Sequence, residues 1–105
     1  MRIHWYWPFA RPEELEWAHG TARPGDSIVV QVIDSPVAPV SGRIGAVEVV
    51  RDLPAIDPLV TRGPAWLWSR QRTYRQRAGA RRRMWERENF DLVHLHYVNR
   101  FTTRW

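Results

Sequence analysis

Residues 27–33 read Ser-Ile-Val-Val-Gln-Val-Ile, an almost unbroken apolar run that follows the turn residues Pro24-Gly25-Asp26. A short run rich in β-branched residues predicts a strand that is buried on both faces. Strands of this kind belong to parallel sheets covered by helices on both sides. This segment therefore predicts an α/β fold.

Further elements are predicted on both sides of this strand. Residues 2–7 alternate in character and are rich in aromatics, which predicts a first strand that Pro8 ends. Pro12 and the two acids after it suit the first turn of a short helix, in which Leu15, Ala18 and Ala22 share one face. A loop is expected over residues 34–42, a short strand over 46–50 and an irregular connection over 52–64.

The second half of the chain predicts a long helix over residues 65–89 and a strand over 90–97. We expect Trp66, Tyr74, Ala78 and Trp85 to line one side of that helix. The element order predicts a partial doubly wound, Rossmann-like parallel sheet with flanking helices. Only eight residues follow the last strand, so residues 1–105 are expected to form one incomplete domain.

Composition narrows the class of protein further. The chain has no cysteine, which excludes disulfides, thiolate metal ligands and a cysteine nucleophile. The N-terminus does not resemble a signal peptide, and no apolar run is long enough for a membrane span. A cytoplasmic protein is therefore expected.

The positive charge is concentrated on the long helix. All 16 basic residues are arginine, and the helix carries eight of them, at positions 70, 72, 75, 77, 81, 82, 83 and 87. Arg77, Arg81, Arg82 and Arg83 are predicted to form a surface for anions. Three interpretations stay open: the solvated surface of a protein from a GC-rich genome, a basic face on anionic lipid, and a nucleic-acid surface. The last ranks lowest, because no known nucleic-acid-binding motif accompanies the arginines.

The segment from Asp91 to Thr102 is the most informative for function. It reads Asp-Leu-Val-His-Leu-His-Tyr-Val-Asn-Arg-Phe-Thr, and in a strand His94 and His96 point to the same face. At the carboxyl end of a sheet strand they could bind a phosphate or a sugar hydroxyl, or exchange a proton. Alternatively they are ordinary strand residues. A metal site is disfavoured, because the other two histidines and the carboxylates lie at unsuitable spacings.

The Asp-x-x-His-x-His pattern with Phe90 before it, and the opening Met-Arg-Ile-His-Trp-Tyr-Trp-Pro-Phe, resemble the N-terminal domain of glycosyltransferase family 4, retaining enzymes of GT-B fold. The resemblance covers the chain in element order. It implies that His96 is the catalytic residue, facing the reacting sugar or its pyrophosphate. By the same resemblance, His94, Tyr97, Asn99 and Phe9 would bind substrate.

The chain departs from the family in two ways. Trp-Pro-Phe stands where the family often has a Gly-Gly pair. The family's donor-binding C-terminal domain is expected to be missing, since only eight residues follow the last predicted strand. The expected function is thus the acceptor side of a retaining transferase that is inactive alone, with a nucleotide-sugar as donor substrate and no resident cofactor. A peripheral contact at the inner face of the plasma membrane fits the basic helix. The alternative is a small arginine-rich module that binds anionic membrane or nucleic acid without catalysis.

Overall fold

The computed structural model describes residues 1–55 and 62–95, in which a five-stranded sheet lies between two helices. The strands are β1 (Arg2–Tyr6), β2 (Ser27–Ile33), β3 (Gly42–Ile44), β4 (Val47–Leu53) and β5 (Leu92–Leu95). The helices are α1 (Pro12–Thr21) and α2 (Gly63–Arg87). The predicted α/β class is confirmed.

The sheet is mixed, with the strand order β3-β4-β2-β1-β5. Strands β4, β2, β1 and β5 are parallel neighbours, and β3 is antiparallel to β4. The expectation of a wholly parallel sheet is therefore wrong for the outermost strand, β3. It begins at Gly42, which was predicted to end a loop. Gly45 opens the two-residue turn from β3 to β4 with a φ of 57°, a conformation that glycine adopts without steric cost.

Strand β2 is buried on both faces, as its sequence predicts. Ile28, Val30 and Val32 pack in one core with Leu15 and Ala18 of α1. Val29 and Gln31 alternate with them and are buried on the opposite face, where α2 lies. The sheet therefore separates two layers, and each layer is covered by one helix.

The buried side of α2 is not the predicted one. Its buried residues are Thr73, Arg77, Ala80, Arg81 and Met84, whereas Trp66, Tyr74, Ala78 and Trp85 are only partly buried. The physical reason is stacking. The Arg81 guanidinium lies 5.1 Å from the Tyr6 ring centroid and 5.3 Å from that of Trp85. A guanidinium is flat and weakly hydrated, so it can be buried against aromatic faces.

Charged groups at the amino ends of β1 and β5 tie these two strands together. The Arg2 amide donates to Asp91 Oδ2 at 2.7 Å, and the Asp91 amide donates to the Arg2 carbonyl at 2.8 Å. The Arg2 side chain also pairs with Glu88 at 2.7 Å. Strand β5 is thereby fixed in register against β1.

The parallel strands have their carboxyl ends at one edge of the sheet. From β1 the chain moves through α1 to β2 on one side, and it returns through α2 to β5 on the other side. The order of the strands thus reverses between β1 and β5. In open α/β sheets, ligands bind at the carboxyl edge, at the point of such a reversal.

Candidate functional site

The loop after β1 (residues 7–11) is fastened to the end of β2 at the carboxyl edge. The Trp7 amide donates to the Gln31 carbonyl at 3.1 Å, and the Ile33 amide donates to the Pro8 carbonyl at 3.0 Å. Within the loop, the Ala10 amide donates to the Trp7 carbonyl at 3.1 Å. These bonds continue the β1–β2 pairing beyond the strand, so the loop has a defined shape.

A cavity of about 350 Å³ lies against this loop, and we call it the edge cavity. Its wall consists of residues from the loop, the first turn of α1, the end of β2 and the β2–β3 connection: Pro8, Phe9, Ala10, Arg11, Pro12, Glu13, Ile33, Val37 and Ala38. This volume lies at the lower end of the range for small-molecule sites. The edge cavity is therefore large enough for a ring-sized group.

Phe9 is the aromatic residue of the edge cavity. Its side chain is 48% exposed, as expected for a residue past the proline that ends β1. The Arg77 guanidinium lies 5.5 Å from the Phe9 ring centroid, and Arg77 Nε donates to the Pro54 carbonyl at 2.8 Å. Arg77 thus links the wall of the cavity to the end of β4 through a cation–π contact and a hydrogen bond.

Arg77 and Arg81 do not belong to an anion-binding surface, and the prediction is wrong for these two residues. Their relative exposures are 2% and 1%, because both pack beneath α2 against aromatic rings. Burial lowers the pKa of Arg81 from its ordinary value, and burial raises the pKa of Tyr6, which stacks with it. The sequence did not predict the burial of Arg81, because it is one of three consecutive arginines (81–83). Which of the three faces the sheet depends on the orientation of α2.

Arg82 and Arg83 do lie on the outer side of α2. The other exposed arginines of this helix are Arg72, Arg75 and Arg87. Near its first turns, Trp68 is 69% exposed and Leu67 is 55% exposed. We call this surface the outer face of α2: it combines a row of cations with two large apolar side chains.

His94 lies on β5 and is exposed. Its ring meets the Trp5 ring edge to face at a centroid distance of 5.4 Å. His94 lines a second cavity with Trp5 and Leu92, which is distinct from the edge cavity that contains Phe9. The structure therefore does not bring these two predicted substrate-binding residues into one cavity. The predicted residues His96, Tyr97 and Asn99 lie outside the described residues.

Sequence reasoning missed a chain of hydrogen bonds on the α2 side of the sheet, which has the buried His4 and Gln31 at its centre. Trp85 Nε1 donates to His4 Nδ1 at 2.8 Å, His4 Nε2 lies 3.0 Å from Gln31 Oε1, and Gln31 Nε2 donates to Asp52 Oδ1 at 2.8 Å. Because the indole can only donate, His4 Nδ1 must accept, and the His4 proton is on Nε2, facing Gln31. The sequence signal for these hydrogen bonds was one polar residue in each of two apolar strands, His4 in β1 and Gln31 in β2.

The environment of His4 keeps its imidazole neutral. Burial lowers the pKa of His4 to about 4; the hydrogen bond with Gln31 opposes this shift, and the positive charge of Arg81 adds to it. The Phe90 ring also stacks on the imidazole at a centroid distance of 5.1 Å. With both ring nitrogens engaged and no exposed surface, His4 is a structural residue.

Residues 1–55 and 62–95 contain no group of three or more His, Asp or Glu side chains placed to hold a metal ion. Neither helix in this part of the chain is long and apolar enough to cross a membrane.

Comparison with known proteins adds no assignment. No protein-family model, no curated protein and no solved structure matches the chain. The function must therefore be argued from the site itself.

Proposed function

We propose that this chain is the N-terminal, acceptor-side domain of a retaining glycosyltransferase of GT-B fold, resembling family 4. The complete enzyme would transfer a sugar from a nucleotide-sugar to an acceptor. This chain would supply one wall of the interdomain cleft. A donor-binding domain would supply the other.

One observation carries the proposal. The order β4-β2-β1-β5 of the parallel strands is the order in which the first four strands of a doubly wound sheet lie, 3-2-1-4. In such a sheet the crevice lies between the carboxyl ends of the first and fourth parallel strands, here β1 and β5. The fastened loop of residues 7–11 follows β1. Asp91 of the Asp-x-x-His-x-His segment directly precedes β5, and His94 lies on it.

The proposed roles are those that the resemblance to family 4 implies. His96 would face the reacting sugar or its pyrophosphate, and Tyr97 and Asn99 would contact substrate beside it. Phe9 would bound the acceptor side of the crevice from the end of β1. His94, with its ring against Trp5, would hold β5, which His96 follows in the sequence.

The direct test is sugar transfer by the chain fused to the donor-binding domain of a family 4 enzyme. Acceptor-dependent release of the nucleoside diphosphate is measured with that enzyme's donor and acceptor. We expect transfer in the fusion and a loss of about 10²-fold or more on His96→Ala, the range for a lost acid–base group. His19→Ala removes an exposed histidine of α1 and serves as the matched control.

Two results would contradict this assignment. Full activity of His96→Ala removes that residue from the site. A fusion that folds, binds the nucleotide-sugar and transfers nothing to any acceptor tested contradicts the transferase role itself.

A second candidate function is supported by the outer face of α2. It carries five exposed arginines along the helix, with the exposed Trp68 and Leu67 near its start, and this combination suits the headgroup region of an anionic membrane. Phosphate contacts to nucleic acid would use the arginines but not the two apolar side chains. The alternative function is therefore a non-catalytic module that adheres to anionic membrane.

Co-sedimentation with phosphatidylcholine vesicles, with and without 30% phosphatidylserine, tests this candidate. Membrane adhesion predicts binding to the anionic vesicles only, weakened by salt. The double change Arg82→Gln/Arg83→Gln should weaken it about tenfold or more, at roughly 1 kcal/mol for each basic residue. Trp68→Ala should weaken it without changing the salt dependence. Equal binding to neutral and anionic vesicles would contradict this candidate function. Tight DNA binding that Trp68→Ala leaves unchanged would contradict it as well.

A further inference from the structure

The edge cavity has a mostly apolar wall. Seven of its nine residues are apolar: Pro8, Phe9, Ala10, Pro12, Ile33, Val37 and Ala38. The other two, Arg11 and Glu13, lie 3.6 Å apart at their charged atoms, and Arg11 also pairs with Glu14 at 2.8 Å. The charged side chains beside the cavity are therefore paired with one another.

Several backbone groups beside the cavity cannot bind a ligand. Pro8 and Pro12 have no amide hydrogen, and the Pro8 carbonyl accepts from the Ile33 amide. The Arg11 carbonyl accepts from the Glu14 amide at 3.0 Å. A sugar placed against the apolar part of this wall would lose hydrogen bonds to water without replacing them there, so an apolar occupant fits this wall better.

The size and shape of the wall indicate what does fit. A dry cavity of about 150 Å³ already holds a benzene ring, so about 350 Å³ holds one ring or two fused rings. Phe9 contributes an aromatic ring to the wall, and the Arg77 guanidinium, which is itself bonded to the Pro54 carbonyl, contacts that ring. An aromatic wall favours a flat aromatic partner, because ring pairs gain more than the buried area alone provides.

We propose that the edge cavity binds an aryl group of one or two rings. This inference rests on the proposed function in one respect: the aryl group would be the apolar part of the acceptor, held at the carboxyl end of β1. The sugar-accepting hydroxyl would then project from the ring toward β5. Arg77 is a positioning residue in this arrangement, since it touches Phe9 and not the ligand.

The test measures binding of 2-naphthol to the chain alone, by ligand-observed NMR, with methyl α-glucoside as the polar comparison. We expect 2-naphthol to bind with a Kd of about 1 mM, typical of a ligand with so few atoms, and the glucoside not to bind. Phe9→Ala should weaken 2-naphthol binding about threefold to tenfold.

Two loop residues provide a matched pair of variants. Val37 is 80% exposed and lines the cavity, whereas Val40 is 79% exposed and does not. Val37→Asp should weaken 2-naphthol binding about tenfold, because it places a charge in the wall, and Val40→Asp should leave it within about twofold. Equal effects of the two changes, or equal binding of the glucoside, would overturn the proposal.

A third variant guards against binding elsewhere. Trp68 and Leu67 line a separate apolar groove on α2. If Trp68→Ala abolishes 2-naphthol binding and Val37→Asp does not, the site is that groove and the proposal is wrong. Because no donor is present, absent aryl binding defeats this inference alone. Retained aryl binding in a fusion that transfers no sugar defeats the transferase proposal alone.

Discussion

Lowering the pH should destabilise this fold through one residue, His4. Its pKa is about 4 in the folded chain against an ordinary value of 6.5, so the unfolded chain binds the proton more readily. The stability it contributes is complete above pH 6.5 and is lost as the pH falls toward 4. Protonation of His4 in the unfolded state should lower the free energy of unfolding by about 2 kcal/mol between pH 8 and pH 5, and by about 3 kcal/mol below pH 4.

Urea unfolding, followed by far-ultraviolet circular dichroism at pH 8, 7, 6 and 5, measures this loss. The groups that face His4 are Gln31 from β2, Trp85, Arg81 and the nearby Glu88. Gln31 and Trp85 have no titrating group, and a variant without the imidazole separates the contribution of His4 from that of the charged neighbours.

His4→Gln removes the titrating group and keeps a polar side chain. We expect it to be less stable than the unaltered chain at pH 8 and to lose much less stability between pH 8 and pH 5. His19→Gln, which removes an exposed histidine, should retain the unaltered pH dependence. The reasoning is refuted if His4→Gln keeps the full slope. Should that variant not fold, the His4 ring of the unaltered chain can be followed by NMR, and a charged ring at pH 6 refutes the reasoning equally.

Three other changes have definite expected outcomes, each measured as a change in the free energy of unfolding in urea at pH 8. Arg81→Ala should cost about 2–4 kcal/mol because it empties a buried site, whereas Arg82→Ala should stay within about 0.5 kcal/mol; equal costs would place Arg81 at the surface. Trp85→Phe should cost about 1–3 kcal/mol, because it leaves the buried His4 Nδ1 without its donor, and an unchanged stability would mean that this hydrogen bond is not formed. Gly45→Ala should cost about 1–3 kcal/mol, because its φ is 57° and the new Cβ would meet the His19 ring. Adding His19→Ala should restore part of that loss. If stability does not recover, backbone strain alone is responsible.

The layered fold could be predicted because its signals are local. The apolar run of β2, and the proline and acidic residues in the first turn of α1, each specify their element through neighbouring residues. Strand β3 could not be found this way, because its three residues are all exposed and carry no hydrophobic pattern. Only its pairing with β4, through the turn at Gly45, makes it a strand.

The buried arginines were beyond sequence reasoning for a different reason. Hydrophobic periodicity counts arginine as polar and assigns it to the surface, so it placed the apolar side of α2 on Trp66 and Trp85. The structure instead buries Arg77 and Arg81, whose stacking partners Phe9 and Tyr6 lie about 70 residues away along the chain. The edge cavity could not be predicted for the same reason, because its wall consists of three segments that are separate in the sequence.

The pairing of β1 with β5 also has a consequence for the growing chain on the ribosome. Strand β1 lies inside the sheet, yet its partner on one side begins only at Leu92. Synthesis proceeds at roughly 5–20 residues per second, so the β1 backbone has an unpaired side for several seconds after β2 is complete. Throughout that interval the unpaired side of β1 can form hydrogen bonds with strands of other nascent chains. Pairing with β5 ends this exposure.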